Sequence, residues 1–145
     1  MTRAAAALIV ACASGGCTRA APVPATGPTT LETGAVRDVI AAALAADAAM
    51  QDADSLYLVG ASVIADGQTR IGPPRFAGIR SRGRANISAS AIEITGVLAW
   101  ASVEYRWGGE AGGAGVGRAT LVLERLGGAW RIKHVHSSTA RPPGG

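Results

Sequence analysis

Beyond residue 17 the chain has no cysteine, because both of its cysteines, Cys12 and Cys17, lie at the N-terminus. No disulfide can staple the rest of the chain, so any domain there is held by burial and hydrogen bonding alone. Aromatic residues are almost as scarce: three tryptophans, two tyrosines and one phenylalanine make up 4% of the chain. So few rings leave little on which to stack bases. The formal charge of +4 is therefore read as a solvated basic face and not as a nucleic-acid surface. Lysine is nearly absent as well; the basic residues are almost all arginine, and only Arg80, Arg82 and Arg84 form a local run. The apolar run Ala4 to Ala13 is too short to span a bilayer. What remains is a chain of 145 residues, 48% hydrophobic, which suits one domain with one core.

The first 17 residues read as an export signal: Arg3 supplies a positive start, Ala4 to Ala13 an apolar segment, and small residues come next. "IVAC" ending at Cys12 and "SGGC" ending at Cys17 both resemble the box in which a bacterial lipoprotein cysteine is acylated. Ordinary cleavage after Ala13 is the alternative. Either way the protein is expected to leave the cytoplasm for the cell envelope, lipid-anchored or periplasmic, touching a membrane only through that anchor. Residues 18–33 carry Pro22, Pro24 and Pro28 and read as a Pro/Ala/Thr-rich tether. The folded domain is expected over 34–139, with a disordered tail at 140–145.

Val36, Val39, Ile40, Ala43, Leu44 and Met50 recur at helical spacing, which predicts a long first helix over Val36 to Met50. Asp47 falls on or beside that stripe and is expected to point inward. A short second helix is expected over Ser55 to Leu58, with Asp54 as its N-cap. From Ala61 onward the pattern is β. Asp66-Gly67 predicts a tight hairpin turn, and "PPRFAGI" reads as a loop, since two prolines forbid a central strand. Apolar residues switch from Ala85, Ile87 and Ala89 to Ile92 and Ile94, which predicts a β-bulge near Ser90 or Ala91. Ala99, Ala101, Val103, Tyr105 and Trp107 alternate with Trp100, Ser102, Glu104 and Arg106, as in a strand with one buried face.

Gly127-Gly128 predicts a two-residue hairpin loop between the last two strands. An uninterrupted register counted from it sets Glu124 against Arg131, Leu123 against Ile132, Leu121 against His134 and Ala119 against His136. That register places both histidines of "WRIKHVHSS" on the apolar face and Val135 on the other, with Glu124 opposite Arg131 as a charge pair.

These segments, "DSLYLVGASVIADG", "RFAGI", "AWASVEYRW", "GRATLVLER" and the W-x-I-x-H-x-H-S-S ending, resemble the SnoaL-like branch of the nuclear transport factor and ketosteroid isomerase superfamily. The resemblance covers most of Val36 to Ser138. It implies an α+β, cone-shaped fold in which a curved antiparallel sheet wraps around N-terminal helices and leaves a pocket between them. It also implies a homodimer paired through the sheet's outer face.

These residues allow four functional readings. Two imidazoles at i and i+2 on a strand can share a zinc, but a third ligand is needed, and with Glu104 facing away and Asp66 in a turn only Asp47 could reach inward; no metal and no cofactor is expected. Superfamily chemistry would be proton transfer beside a carbonyl, with His134 or His136 as base, Tyr57 or Tyr105 as oxyanion donor and Asp47 as the orienting carboxylate. The isomerase's catalytic aspartate has no clear counterpart here. A binding domain needs less: a small apolar pocket with His134, His136, Tyr57, Tyr105 and Ser138 as its polar lining, holding a small molecule without reacting with it. The last is an interaction module, dimeric through Trp100, Ser102, Glu104 and Arg106; beside all four, the histidines can simply be core residues satisfied by their neighbours.

Overall fold

Helix α1 (Thr30–Ala48) starts at a capping box: Glu32 N–H donates to Thr29 Oγ1 at 3.2 Å, and Thr29 N–H donates back to the Glu32 carboxylate at 3.3 Å. The computed structural model describes residues 27 and 29–140, so the export signal, both cysteines, most of the tether and 141–145 lie outside the described residues. Because the cap satisfies the first-turn N–H groups, the helix begins six residues before the apolar stripe. Thr30 to Thr33, expected in the tether, are helical instead. Arg125 fixes that end by pairing with Glu32 at 3.0 Å. Val36, Ile40, Ala43, Leu44, Asp47 and Ala48 form the buried stripe.

After Met50, which takes a left-handed φ of 55°, the chain makes only a 3-10 helix, Asp54–Leu56. The expected second helix with an Asp54 cap does not form. Ala53 precedes the turn without a side-chain cap, Asp54 N–H donates to Asp52 Oδ1 at 2.9 Å, and Tyr57 already begins a strand.

The strands are β1 (Tyr57–Ala65), β2 (Gln68–Thr69), β3 (Gly83–Thr95), β4 (Leu98–Gly109), β5 (Ala114–Leu126) and β6 (Ala129–Ala140). They form one curved, open sheet in the order β2-β1-β6-β5-β4-β3, with α1 on its concave face. The fold is thus the α+β cone, with one full helix. Its sheet is mixed: β1 runs parallel to β6, and every other pair is antiparallel. The β1–β2 turn has Asp66 at φ 49° and Gly67 at 75°, the left-handed pair that a tight hairpin twisted like its strands requires. Asp66 also ties β1 to the last strand, accepting from Thr139 N–H at 2.7 Å and Thr139 Oγ1 at 2.9 Å.

Two bulges set which side chains face inward. In β3 the register slips between Ile87 and Ala89, so the bulged residue is Ser88, two positions before the expected site. Ile87 and Ile92 then both face α1. The second bulge was not expected. Glu124 opposes Arg131 and Leu123 opposes Ile132 as counted, but Val122 opposes His134, Leu121 opposes Val135 and Ala119 opposes Ser137. Lys133 is the extra residue, and beyond it every side chain changes face. Val135 and Ser137 are buried, while His134 is half-buried and His136 exposed on the outer face. The exchange is favourable because it buries a branched aliphatic and one hydroxyl that finds a partner, instead of two imidazoles that would need several. Glu124, although opposite Arg131, forms its ion pair with Lys133 at 2.7 Å, and Arg131 bonds Ser55 O.

The segment 70–82 between β2 and β3 closes the concave side without regular structure. Three elements hold it. The Asp47 carboxylate of α1 accepts from the N–H groups of Arg75 and Phe76, Ser137 Oγ of β6 accepts from Ala77 N–H at 2.9 Å, and Tyr105 Oη of β4 donates to Ala77 O at 2.6 Å. Phe76 packs edge-on against Tyr105, centroids 5.6 Å apart. Tyr105 in turn lies over Gly117 of β5, where an added Cβ would sit 2.2 Å from Tyr105 Cζ. Side-chain space at Gly117 is therefore already taken by the tyrosine ring.

Candidate functional site

The outer face carries a trough of about 620 Å³ across β3 to β6, with Ser102, Glu104, Arg118, Thr120, His136 and Ser138 in its lining. His136 and Ser138 thus come together, but on the side of the sheet away from α1. The expectation that His134, His136 and Ser138 line the interior pocket is overturned, and the cause is the Lys133 bulge. Glu104 pairs there with Arg118 at 3.4 Å.

The concave side holds the other three expected residues, Asp47, Tyr57 and Tyr105. Asp47 is 1% exposed. Burial pushes its carboxyl from 3.8 up to about 6, against the opposing pull of the Phe76 and Arg75 N–H groups and the Arg75 charge. Tyr105 is equally sealed, its hydroxyl is already donated to Ala77 O, and burial raises its pKa well above the ordinary phenol value. Neither group has a free face toward a substrate. The combination required for proton transfer, a histidine base beside Asp47 and a tyrosine donor, is not assembled, because the histidines and Asp47 lie on opposite faces of the sheet.

Tyr57 leads instead to Arg75, which lies inside "PPRFAGI" and had no role among the expected site residues. Arg75 is 6% exposed, and its guanidinium carbon sits 4.5 Å over the Tyr57 ring. Its Nη2 contacts the Asp54 carboxylate, with Asp52 at 3.6 Å. Both aspartates are largely exposed at the surface beside it. Arg75 Nη1 and Tyr57 Oη are buried without a hydrogen-bond partner among the described residues, as is Trp107 Nε1 elsewhere in the fold. A buried donor left unpaired carries the full cost of its desolvation, so this pair calls for an explanation. Burial, reinforced by the charge of Asp47, holds the Tyr57 phenol protonated far above neutral pH, so it is available as a donor.

Both residues line a cleft of about 480 Å³ between β1 and the start of segment 70–82. Its lining mixes apolar Leu58, Ala61 and Val63 with charged Asp52, Asp54, Arg70 and Arg75, and its rim carries Val59 and Ile71, which are 107% and 99% exposed. Here β1 lacks close pairing: Tyr57 opposes Ile132 and the next partnered residue is Ser62, so Leu58 to Ala61 arch away from β6. Gly60, at φ 77°, makes the arch possible. The cleft is therefore the place where the concave side opens, with cation, phenol and carboxylates grouped at an apolar wall. One signal for Arg75 was available in the sequence. An arginine followed by Phe-Ala-Gly-Ile sits in an apolar segment and needs a carboxylate partner, and Asp52 and Asp54 had none nearby in the chain.

Among the described residues no group of three or more His, Cys, Asp or Glu side chains is placed to hold a metal ion, and no helix is long and apolar enough to cross a membrane.

Comparison with known proteins agrees with this geometry at the level of the fold. The SnoaL-like domain family model matches residues 34–142. Among solved structures, a protein with a cystatin-like fold from Nostoc punctiforme PCC 73102 superposes with a TM-score of 0.64 at 11% identity, covering 80% of this chain and 96% of that one. An NTF2-like protein from Pseudomonas putida KT2440 gives 0.59 at 20% identity, over 81% and 92% of the two chains. A protein from Xanthomonas campestris, described as a calcium/calmodulin dependent protein kinase II association domain, gives 0.59 at 21% identity, over 84% and 94%. No curated protein matches the chain.

Proposed function

Since the chain belongs to the SnoaL-like domain family, whose NTF2-like fold serves small-molecule binding and isomerase-like activity, we propose that it is a binding domain that holds a small molecule without transforming it. The ligand sits in the cleft beside β1. The observation that carries this reading is that Tyr57 and Arg75, whose Oη and Nη1 are buried donors without a partner among the described residues, both line one cleft. A non-catalytic role is favoured over proton transfer because Asp47 and Tyr105 are already committed to holding segment 70–82. The domain works outside the cytoplasm, as the composition of residues 1–17 suggests.

A thermal-shift screen with small amphipathic molecules tests the reading. Ligands that raise the melting temperature should lose most of that effect in Tyr57→Phe and keep it in His134→Leu. The opposite pattern, loss with His134→Leu and none with Tyr57→Phe, would move the site to the outer face and sink the proposal.

A second reading concerns the outer face itself. Trp100 and Leu98 are 54% and 45% exposed there, which supports a homodimer paired through the sheet. Sedimentation would show a dimer that Trp100→Glu converts to monomer; a monomer at all concentrations in the unmodified protein refutes it.

A further inference from the structure

Resting on the binding reading, the chemistry of the cleft narrows its ligand: we infer that it takes an uncharged amide, a carboxamide, lactam or single peptide bond, on a short apolar body. Arg75 Nη1 and Tyr57 Oη each offer a proton from beneath the cleft surface, so a ligand atom that reaches them must be an acceptor oxygen. Charge selects among oxygens. The ionisable groups lining the cleft are Arg70, Arg75, Asp52 and Asp54, two of each sign, and the Arg75 charge is already matched by Asp54 in contact. Asp47 adds a further carboxylate behind the Arg75 backbone. An anionic head would give up its hydration to enter a site with no surplus positive charge, and it would lie beside two carboxylates. A carbonyl gains the same hydrogen bonds without that cost.

The carboxylates separate an amide from a ketone or ester. Asp52 and Asp54 stand on the same cleft wall as Arg75, and both carry exposed acceptor oxygens. A planar amide presents an acceptor and a donor on adjacent atoms, so its C=O can meet the Tyr57 and Arg75 donors while its N–H meets a carboxylate. Val59 and Ile71 then cover the apolar body at the rim.

Four probes sharing one apolar group test this: phenylacetamide, phenylacetate, phenylacetone and 2-phenylethylamine, titrated into ¹⁵N-labelled protein and followed by amide resonances. Phenylacetamide is expected to bind tightest and to move the resonances of Tyr57, Val59, Ile71 and Arg75. Tyr57→Phe, which keeps the ring under the guanidinium, should weaken it about 5-fold, the loss of one hydrogen bond. Asp52→Ala should weaken the amide by a similar factor and leave phenylacetone unchanged. If phenylacetate, phenylacetone or 2-phenylethylamine binds the same residues more tightly than the amide, the amide inference fails and the binding reading stands. If no probe and no member of the wider screen perturbs the cleft, both fall.

Discussion

Asp47 offers the sharpest quantitative test of how the concave side is held. Its carboxyl is raised from 3.8 to about 6 because burial outweighs the two N–H donors and Arg75. A group whose folded pKa lies above its unfolded value binds more protons when folded, so its contribution to stability grows as pH falls. Protonated Asp47 gives its full benefit below about pH 4. That benefit is lost as pH rises, and above pH 6 the ionised form costs about 3 kcal/mol relative to the protonated one. Between pH 7 and pH 5 the same linkage amounts to about 1.3 kcal/mol. Asp47→Asn keeps the shape of the protonated acid and an oxygen able to accept from Arg75 and Phe76 N–H, but it cannot titrate. Urea unfolding followed by tryptophan fluorescence, run on both proteins at pH 5, 6 and 7, isolates the Asp47 contribution as the difference between them. Other titrating groups cancel in that difference. The unmodified protein should gain about 1.3 kcal/mol on Asp47→Asn as the pH is lowered from 7 to 5. A difference that stays flat across this range would show that Asp47 does not titrate near 6, and that burial does not outweigh hydrogen bonding at this carboxyl.

Gly117→Ala should destabilise by about 1–3 kcal/mol, because its methyl group needs the space of the Tyr105 ring and displacing that ring breaks its bond to Ala77 O; a melting temperature unchanged within error would refute the close packing. The Lys133 bulge predicts opposite sensitivities for adjacent residues. Val135→Ala should cost about 2 kcal/mol and His134→Ala no more than about 0.5 kcal/mol. Equilibrium unfolding of the two variants decides it, and a larger loss at His134 would restore the uninterrupted register.

Where local chemistry settles the structure, the sequence was readable. Asp66-Gly67 and Gly127-Gly128 are turns because both residues of each pair adopt positive φ, which few other pairs tolerate. The alternation Ala99 to Trp107 gave the buried face of β4 directly, and the helical stripe brought Asp47 inward. What escaped depends on contacts between distant segments. Up to Ile132 the hairpin registers with and without a bulge are identical. The choice between them rests on Ser137, whose hydroxyl meets Ala77 N–H and whose carbonyl meets Asp66 N–H, both some sixty residues or more away in the chain. The burial of Arg75 likewise requires Tyr57 and Asp54 to arrive together. A periodicity argument sees one strand at a time, and so it placed the two histidines on the wrong side.

The parallel pairing of β1 with β6 has a temporal consequence. The first strand to leave the ribosome has as its main neighbour the last one, with Ser62 opposite His134 and Ala65 opposite Ser137. Among the described residues the two-residue β2 supplies the only other pairing, so β1 is expected to find its place in the sheet only when the final residues of β6 exist. The antiparallel ribbon β3 to β6 is built from neighbours in sequence and is expected to assemble first, with the N-terminal half docking onto its free edge. Tyr57 and Arg75 lie on segments that depend on this non-local pairing, so the cleft is expected to form after the ribbon.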